Sequence, residues 1–559
     1  MCGRRGTSLP AAGAAPYFSG HPSVRARLPQ PRTVPMTTPR SLVRRFALAA
    51  ALTLAPATLV AQVAPPPGLD QEVARALREF SVPGIAVGIV KDGRVVHVQG
   101  YGVRRMGDDT ARVTPNTLFQ IASNTKAFTA AALAMLVDSG RVSWDDRVVE
   151  RLPWFRLSDP YVTRELTLRD LLSHRSGLGL GGGDLLWYRS TYPPREVLTR
   201  IGALAPASSF RTTYAYQNIP FLAAGEVIPA VTGTQWDAFV RQRILQPLGM
   251  TSTLLFARDL PQAGDVAMPH SRFQGPLRVV SRDNMDNAAP AGSLVSNVAD
   301  LTKWMIVQLD SGRVAGSDRR LWSAQRTREM WSGQTILPIG APQPGLEAYT
   351  PEFSQYGLGW SLRDYRGHKV VTHTGGLAGM TSRTLLVPDQ KLGIVILTNA
   401  ETSAHTALGW WIMDRFLGAP QTDWTAAFAA QARRGEERAA EAERQAAAAR
   451  ARNTRPSLPL ARYAGPYTDP LYGDASIALE NGKLVLRFSH SPSLTADLEH
   501  WHYDTFVARF RERTSADAFV TFTLDPAGQV GAFEMEAFSQ LADFSFDYHN
   551  FKFVPVRKQ

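Results

Sequence analysis

The chain has 559 residues, 44% of them hydrophobic and 20% charged, enough to build several packed cores and to exclude disorder throughout. At about 150 residues per domain this suggests two to four structural units, and the 44 glycines and 38 prolines follow no collagen-like period. The formal charge of +12 is not a nucleic-acid footprint: residues 1–69 hold eight arginines and no acid, and without residues 1–61 the balance is 53 basic against 49 acidic groups.

In residues 40–61, RSLVRRFALAAALTLAPATLVA, three arginines precede an uncharged apolar run from Phe46 to Val60. This is the pattern of a secretory signal peptide. The run falls short of the about 20 apolar residues that a membrane span needs, and Pro56 interrupts it. Cleavage is expected after Ala61, and Met36 is the expected true start, because the stretch before it is rich in Pro, Arg and Ala. An organellar transit peptide is the competing reading of the same acid-free segment. The mature chain is thus expected in the periplasm or outside the cell, without a stable membrane anchor. Cys2 is the only cysteine, so that chain would hold no disulfide and no thiolate metal site.

After Val82, PGIAVGIVKDGRVVHVQGYG reads as two strands around an Asp92-Gly93 turn. A helix of amphipathic pattern is expected over Lys126 to Ser139, stopped by Gly140. Residues 145–340 mix helical stretches, such as Thr167 to Ser173 and Trp236 to Leu245, with Gly/Pro-rich loops, a mainly helical insertion. Strand grammar returns over 368–399 in HKVVTHTG, TSRTLLVP and KLGIVILTN, and a helix is expected near Thr406 to Phe416. Strands at both ends with helices between them predict one antiparallel sheet assembled from the two ends, beside a helical domain. The Ala/Arg/Glu-rich stretch 423–452 reads as a solvated helix or linker. Beyond Pro456, short alternating strands with an Asn481-Gly482 turn predict a small β domain, a barrel, whose core Trp501, Tyr503 and Phe506 should fill.

The chain contains one SxxK, Ser123-Asn124-Thr125-Lys126, at the start of a predicted helix. Residues three apart share a helix face, so the Lys126 amine can reach the Ser123 hydroxyl. A helix N-terminus carries about half a positive charge, which disfavours an ammonium ion, and its N–H groups can stabilise an oxyanion. A serine N-cap followed by a surface lysine is the plainer alternative. Tyr216-Gln217-Asn218 offers a phenol able to exchange a proton with Ser123 and an amide able to hold a substrate carbonyl. His373-Thr374-Gly375-Gly376, at the end of a predicted strand, offers a polar wall that substrate can approach closely because glycine lacks Cβ. Tyr216 as a core tyrosine and His373 as a turn residue are the competing assignments. Gly177, Gly179 and Gly182 satisfy GxGxxG but follow a helical LRDLLSHRSG rather than a strand, which argues against a dinucleotide site. His174 and His373 lack a histidine partner at i, i+4, so neither metal nor cofactor is expected.

Together these segments resemble the class C β-lactamase-related serine hydrolases, which include penicillin-binding-protein-like peptidases and esterases, over roughly residues 68–417. FQIASNTKAFTA, LTLRDLLSHRSGL, YAYQN followed by VTGTQW and ILQPLGM, AGSLVSNVADLTKWM, YGLGW, and HTGGLAGM followed by VPDQKLGIVILTN stand in family order. The resemblance implies an α+β, β-lactamase/transpeptidase-like fold: an antiparallel sheet flanked by helices plus a helical domain. The C-terminal part resembles the lipocalin-like barrel appended to some of these hydrolases. The implied organisation is a leader over 1–61, a hydrolase domain over 62–420, a helical linker over 421–456 and a barrel over 457–559.

Carried across, Ser123 is the acyl-accepting nucleophile and Lys126 with Tyr216 the proton-transfer pair, in either order. Asn218 orients the substrate amide, and the N–H groups of Ser123 and Gly376 form the oxyanion hole. Two departures bear on substrate: Tyr-Gln-Asn stands where Tyr-Ser-Asn is common, and His373 stands where β-lactamases and true penicillin-binding proteins carry lysine. An imidazole is mostly neutral at pH 7 and attracts a substrate carboxylate less than an ammonium does. The implied activity is hydrolysis of esters or short D-residue-containing peptides through a serine acyl-enzyme. β-Lactam hydrolysis is the alternative, and a noncatalytic cell-wall sensor or scaffold the alternative of another class. A small molecule or short peptide is the expected partner and nucleic acid is not; the oligomeric state is open, a homo-oligomer included. For the barrel, the resemblance suggests restriction of access to the site or self-association.

Overall fold

Asp92 and Gly93 both adopt left-handed backbone angles, with φ of 52° and 74°, the pair of positive values that a tight hairpin turn requires. Strand β1 (Gly84–Lys91) therefore folds straight back on β2 (Arg94–Gly102). The computed structural model describes residues 63–557; the leader, its cleavage site and Met36 lie outside the described residues.

Six further strands complete the sheet: β3 (Thr335–Ile336), β4 (Ser354–Tyr356), β5 (Ser361–Tyr365), β6 (His368–Leu377), β7 (Met380–Val387) and β8 (Leu392–Thr398). The order is β2-β1-β8-β7-β6-β5-β4-β3, antiparallel at every pairing. β1 and β8 run in register from Ile85 opposite Thr398 to Lys91 opposite Leu392, so the two ends of the unit close one sheet, as their strand grammar predicts.

Both faces of β1 are covered, which is why seven of its eight residues are buried. Ile85, Val87 and Ile89 pack with Val73 of α1 (Leu69–Glu79) and with Trp410. Ala86 and Val90 face the other core, built around α2 (Thr125–Asp138), α3 (Ile219–Thr232) and α4 (Val298–Leu309). Helix α2 corrects the amphipathic expectation: every residue from Thr125 to Leu136 is buried. A helix enclosed on all sides needs no polar stripe, and Phe128 stacks on Trp304 of α4 with ring centroids 3.9 Å apart. The helix expected from Thr167 is shorter, Leu168–Leu171, and opens with a capping box between Thr167 and Asp170. Trp236–Val240 continues through a π-helical turn at Arg241–Leu245.

Helix α5 (Ala404–Phe416) lies on the sheet, and α6 (Trp424–Ala449) follows it. Only the later turns of α6 match the expected solvated helix. Trp424, Thr425 and Phe428 are buried, and the Trp424 indole N–H donates to the Asp414 carboxylate of α5 at 2.7 Å. Among the described residues no helix is long and apolar enough to cross a membrane.

The remaining strands are β9 (Gly465–Asp469), β10 (Gly473–Glu480), β11 (Lys483–Phe488), β12 (Ser491–His502), β13 (Thr505–Phe510), β14 (Ala518–Leu524), β15 (Val530–Ala537) and β16 (Lys552–Pro555). Each pairs with the next, and β16 returns to β9, closing an eight-stranded antiparallel barrel without a free edge. Asn481 and Gly482, with φ of 49° and 78°, make the predicted tight turn between β10 and β11. Phe506 fills the barrel interior as expected. Trp501 does so only in part, packing half-buried against Phe519 and Phe538. Tyr503 is 60% exposed, because it belongs to the turn between β12 and β13 and takes φ 45° there.

Replacing Trp424 by alanine removes a fully buried indole and the donor it offers Asp414. The expected cost is about 3–5 kcal/mol in urea unfolding, with Trp424→Phe costing less because it keeps most of the volume.

Candidate active site

Ala122 precedes the serine of the SxxK segment and takes φ 46°, a conformation that costs an L-residue about 1–2 kcal/mol. The chain then makes a 3₁₀ turn, Ala122–Asn124, and enters α2. Strands β6 and β7 hold this turn. Ser382 Oγ donates to the Ile121 carbonyl and accepts from Asn124 Nδ2, each at 2.8 Å. Gly375 of β6 lies against the same carbonyl so closely that a Cβ would sit 2.1 Å from its oxygen. Glycine is required there because no side chain fits between the strand and the turn.

Lys126 has no exposed surface, since the whole first half of α2 is enclosed. Its Nζ donates to Ser123 Oγ at 2.9 Å, to Asn218 Oδ1 at 2.7 Å and to the Ala291 carbonyl at 2.9 Å. From the other side the Tyr216 hydroxyl donates to Ser123 Oγ at 2.7 Å. The structure therefore gathers Ser123, Lys126, Tyr216 and Asn218 as the spacing and resemblance predict. Burial brings the Lys126 ammonium down to about 7, with the negative charge of Asp184 opposing it. The same burial pushes the Tyr216 phenol well above its usual 10. Desolvation within the packed helix is the leading cause of the lysine shift.

His373 is buried at the back of the cleft. Its Nδ1 lies 2.6 Å from the Thr374 carbonyl and its Nε2 lies 2.8 Å from the Tyr356 hydroxyl. A carbonyl only accepts, so Nδ1 carries the hydrogen and the tyrosine donates to Nε2. Burial drives this imidazole down to about 3, so it is neutral. Thr374 and Gly376 are exposed in the cleft wall. β6 pairs with β5 only as far as Thr372, opposite Ser361, yet stays paired with β7 through Leu377. Among the described residues the other edge of 373–377 has no strand partner, which leaves backbone groups beside the cleft for an extended substrate.

Three features were not legible beforehand. Asn218 has both ends of its amide engaged by the protein, since Nδ2 donates to Asp184 Oδ2 at 2.9 Å while Oδ1 accepts from Lys126. His174, with φ 55°, brackets Tyr216: its carbonyl accepts the Ala215 N–H at 3.0 Å and its Nδ1 accepts the Gln217 N–H at 3.1 Å. The third is which barrel residues border the site, since the resemblance suggests only that the barrel restricts access or self-associates. A cavity of about 510 Å³ has Ser123, Tyr216 and His373 on one side and Asp543, Phe544 and Phe546 on the other. Phe544 meets the Tyr216 ring edge-on at 6.0 Å, and Phe546 stacks on Tyr188 at 3.8 Å. No local pattern marks Asp184, which follows Gly177, Gly179 and Gly182, or the barrel residues, whose place beside Ser123 depends wholly on tertiary structure.

A family model described as Beta-lactamase matches residues 69–418, and one described as Domain of unknown function (DUF3471) matches residues 449–555. The chain is 30% identical over 461 residues to an unguisins hydrolase of Aspergillus campestris, covering 76% of this chain and 81% of that protein. It is 30% identical over 339 residues to penicillin-binding protein 4 of Amycolatopsis lactamdurans, covering 59% of this chain and 84% of that protein. Among solved structures, the octameric penicillin-binding protein homologue from Pyrococcus abyssi matches with a TM-score of 0.55 at 20% identity, over 87% of this chain and 99% of that one, and so shares the fold.

Gly375→Ala should force the Ile121–Ala122 turn away from β6 and move Ser123 off its partners. Displacements of about 1 Å at a reacting group can cost about 100-fold in rate. The expected result is a fall of at least about tenfold in fluorophosphonate labelling of Ser123, with secondary structure by circular dichroism retained.

Proposed function

Because the chain belongs to the β-lactamase family, we propose that it is a serine hydrolase that cleaves esters or short D-residue-containing peptides through an acyl-enzyme on Ser123. The supporting observation is the placement of Ser123 Oγ between a buried amine at 2.9 Å and a buried phenol at 2.7 Å. With Lys126 held near 7 and Tyr216 held protonated, the lysine is the better base at neutral pH.

Neutral Lys126 takes the Ser123 proton as Oγ attacks the acyl carbon. The carbonyl oxygen gains negative charge, which the N–H groups of Ser123 and Gly376 would receive; one such donor is typically worth about 3–4 kcal/mol in the transition state. Tyr216 passes its proton to the leaving group and is reprotonated from Lys126. Water then attacks the acyl-enzyme and gives its proton to Lys126, which passes it to Ser123 Oγ as the acyl–oxygen bond breaks and the free acid departs. The neutral His373 exerts little pull on a substrate carboxylate, which favours esters and peptides over β-lactams. A noncatalytic sensor has no use for a lysine buried against a serine. The signal-like residues 40–61 support action in the periplasm or outside the cell, which N-terminal sequencing of the processed protein checks.

The expected measurement is a Ser123-dependent kcat/KM on a short-acyl ester or a D-alanyl peptide that exceeds that on a cephalosporin. Equal inactivity of the protein and Ser123→Ala on all three substrates would move the reading to a sensor. Since the base must be neutral, kcat/KM should rise with pH through about 7 and fall about tenfold per unit below it. Lys126→Arg, which keeps the charge but cannot lose a proton at such pH, should be inactive.

A further inference from the structure

Asp184 and Ser545 take no part in the chemistry above, yet hydrogen bonds connect them to it. The Asp184 carboxylate has no exposure and accepts three hydrogen bonds. Trp187 Nε1 donates to Oδ1 at 2.9 Å, while Asn218 Nδ2 at 2.9 Å and Ser545 Oγ at 2.7 Å donate to Oδ2. Ser545 comes from the barrel, in the connection between β15 and β16. Asn218 in turn presents Oδ1 to Lys126, and Lys126 meets Ser123. An unbroken line of hydrogen bonds thus joins the barrel to the nucleophile. The loop is firmly seated: a Cβ on Gly181 would lie 2.6 Å from the Phe544 carbonyl oxygen and 3.0 Å from Ser545 Cα.

An asparagine amide has nearly the same shape either way round. Only its oxygen can accept from Lys126; the nitrogen would set donor against donor. An ionised Asp184 settles the choice, because a carboxylate only accepts and so binds Nδ2, leaving Oδ1 for the lysine. A buried carboxylate stays ionised only while enough donors surround it. We propose that Ser545, reaching in from the barrel, is a positioning residue of the catalytic centre. By completing the donor set of Asp184 it fixes the Asn218 amide, and through it the Lys126 amine, against Ser123. The active site is then shared between the two folded parts of the chain, and the barrel is a working component of it. The inference rests on Ser123 being the nucleophile.

The electrostatics give the test its direction. Burial raises Asp184 to about 6 against the pull of its three donors and of Lys126. Asp184 in turn holds the Lys126 ammonium up against burial. Tyr216 and, from the barrel, Tyr472 also feel Asp184, and the imidazoles of His174 and His373, both lowered by burial, face Lys126. Without the Ser545 hydroxyl, Asp184 ionises less readily, negative charge beside Lys126 is reduced, and the lysine loses its proton at lower pH.

Fluorophosphonate labelling of the full chain, followed against pH beside thermal unfolding, reads this without needing the natural substrate. Ser545→Ala should label about tenfold more slowly at saturating probe, the effect of one lost hydrogen bond to a charged group. Its acid limb should move to lower pH by about half a unit, and that of Asp184→Asn further in the same direction. Ser545→Thr, which keeps the hydroxyl, should recover most of the rate. A wild-type rate and limb in Ser545→Ala would overturn the proposal, as would slower labelling with an unmoved limb, which would leave Ser545 only a packing role. If the wild type itself labels no faster than Ser123→Ala, the nucleophile reading fails and this inference with it.

Discussion

A lysine without water around it governs the centre of this protein. Lys126 is enclosed because it lies at the start of a helix with no solvent face, and enclosure lowers the proton affinity of its amine to the range where it can act as a base. The same enclosure makes any unmet hydrogen-bonding capacity costly. Each of the three Nζ donors accordingly has an oxygen acceptor, and each acceptor is supplied by a different segment: Ser123, Asn218 and Ala291. The geometry of the site follows from satisfying one buried cation.

Placing those acceptors requires close backbone approach more than bulky packing. The turn carrying Ser123 is held against the paired residues Ser382 and Gly375, which keep the strained Ala122 within it in place. β6 contributes twice: its glycine lets the turn come near, and its unpaired edge beyond Thr372 borders the cleft. His373 is neutral for the same reason that Lys126 holds its proton weakly, namely burial, and its two nitrogens are spent on Thr374 and Tyr356.

Much of this was legible from the letters alone. The Asp92-Gly93 and Asn481-Gly482 turns announce themselves, because few residues tolerate two consecutive positive φ values. The closing of β1 on β8 follows from strand patterns at both ends, and Ser123, Lys126 and Tyr216 sit in segments whose order matches a family. The burial of α2 does not show in its sequence because its alanines and threonines carry little periodic contrast, and only the surrounding helices and sheet decide how many faces are covered. Asp184, His174 and Ser545 act through contacts between segments far apart in the chain, and no spacing rule reaches across such distances. Tyr503 reads as core because it is an aromatic residue in an alternating run, and only the position of the turn exposes it.

The barrel separates holding from shaping. Its closed ladder runs from β9 round to β16, while the residues facing Ser123 lie in one connection outside that ladder. Exchanges at Phe544 or Phe546 can therefore recontour one wall of the cleft without unpairing a strand, whereas comparable changes on β6 would disturb the sheet and the turn carrying Ser123 together. The shape of that wall is thus set by a few positions of the barrel, remote in sequence from Ser123, Lys126 and Tyr216.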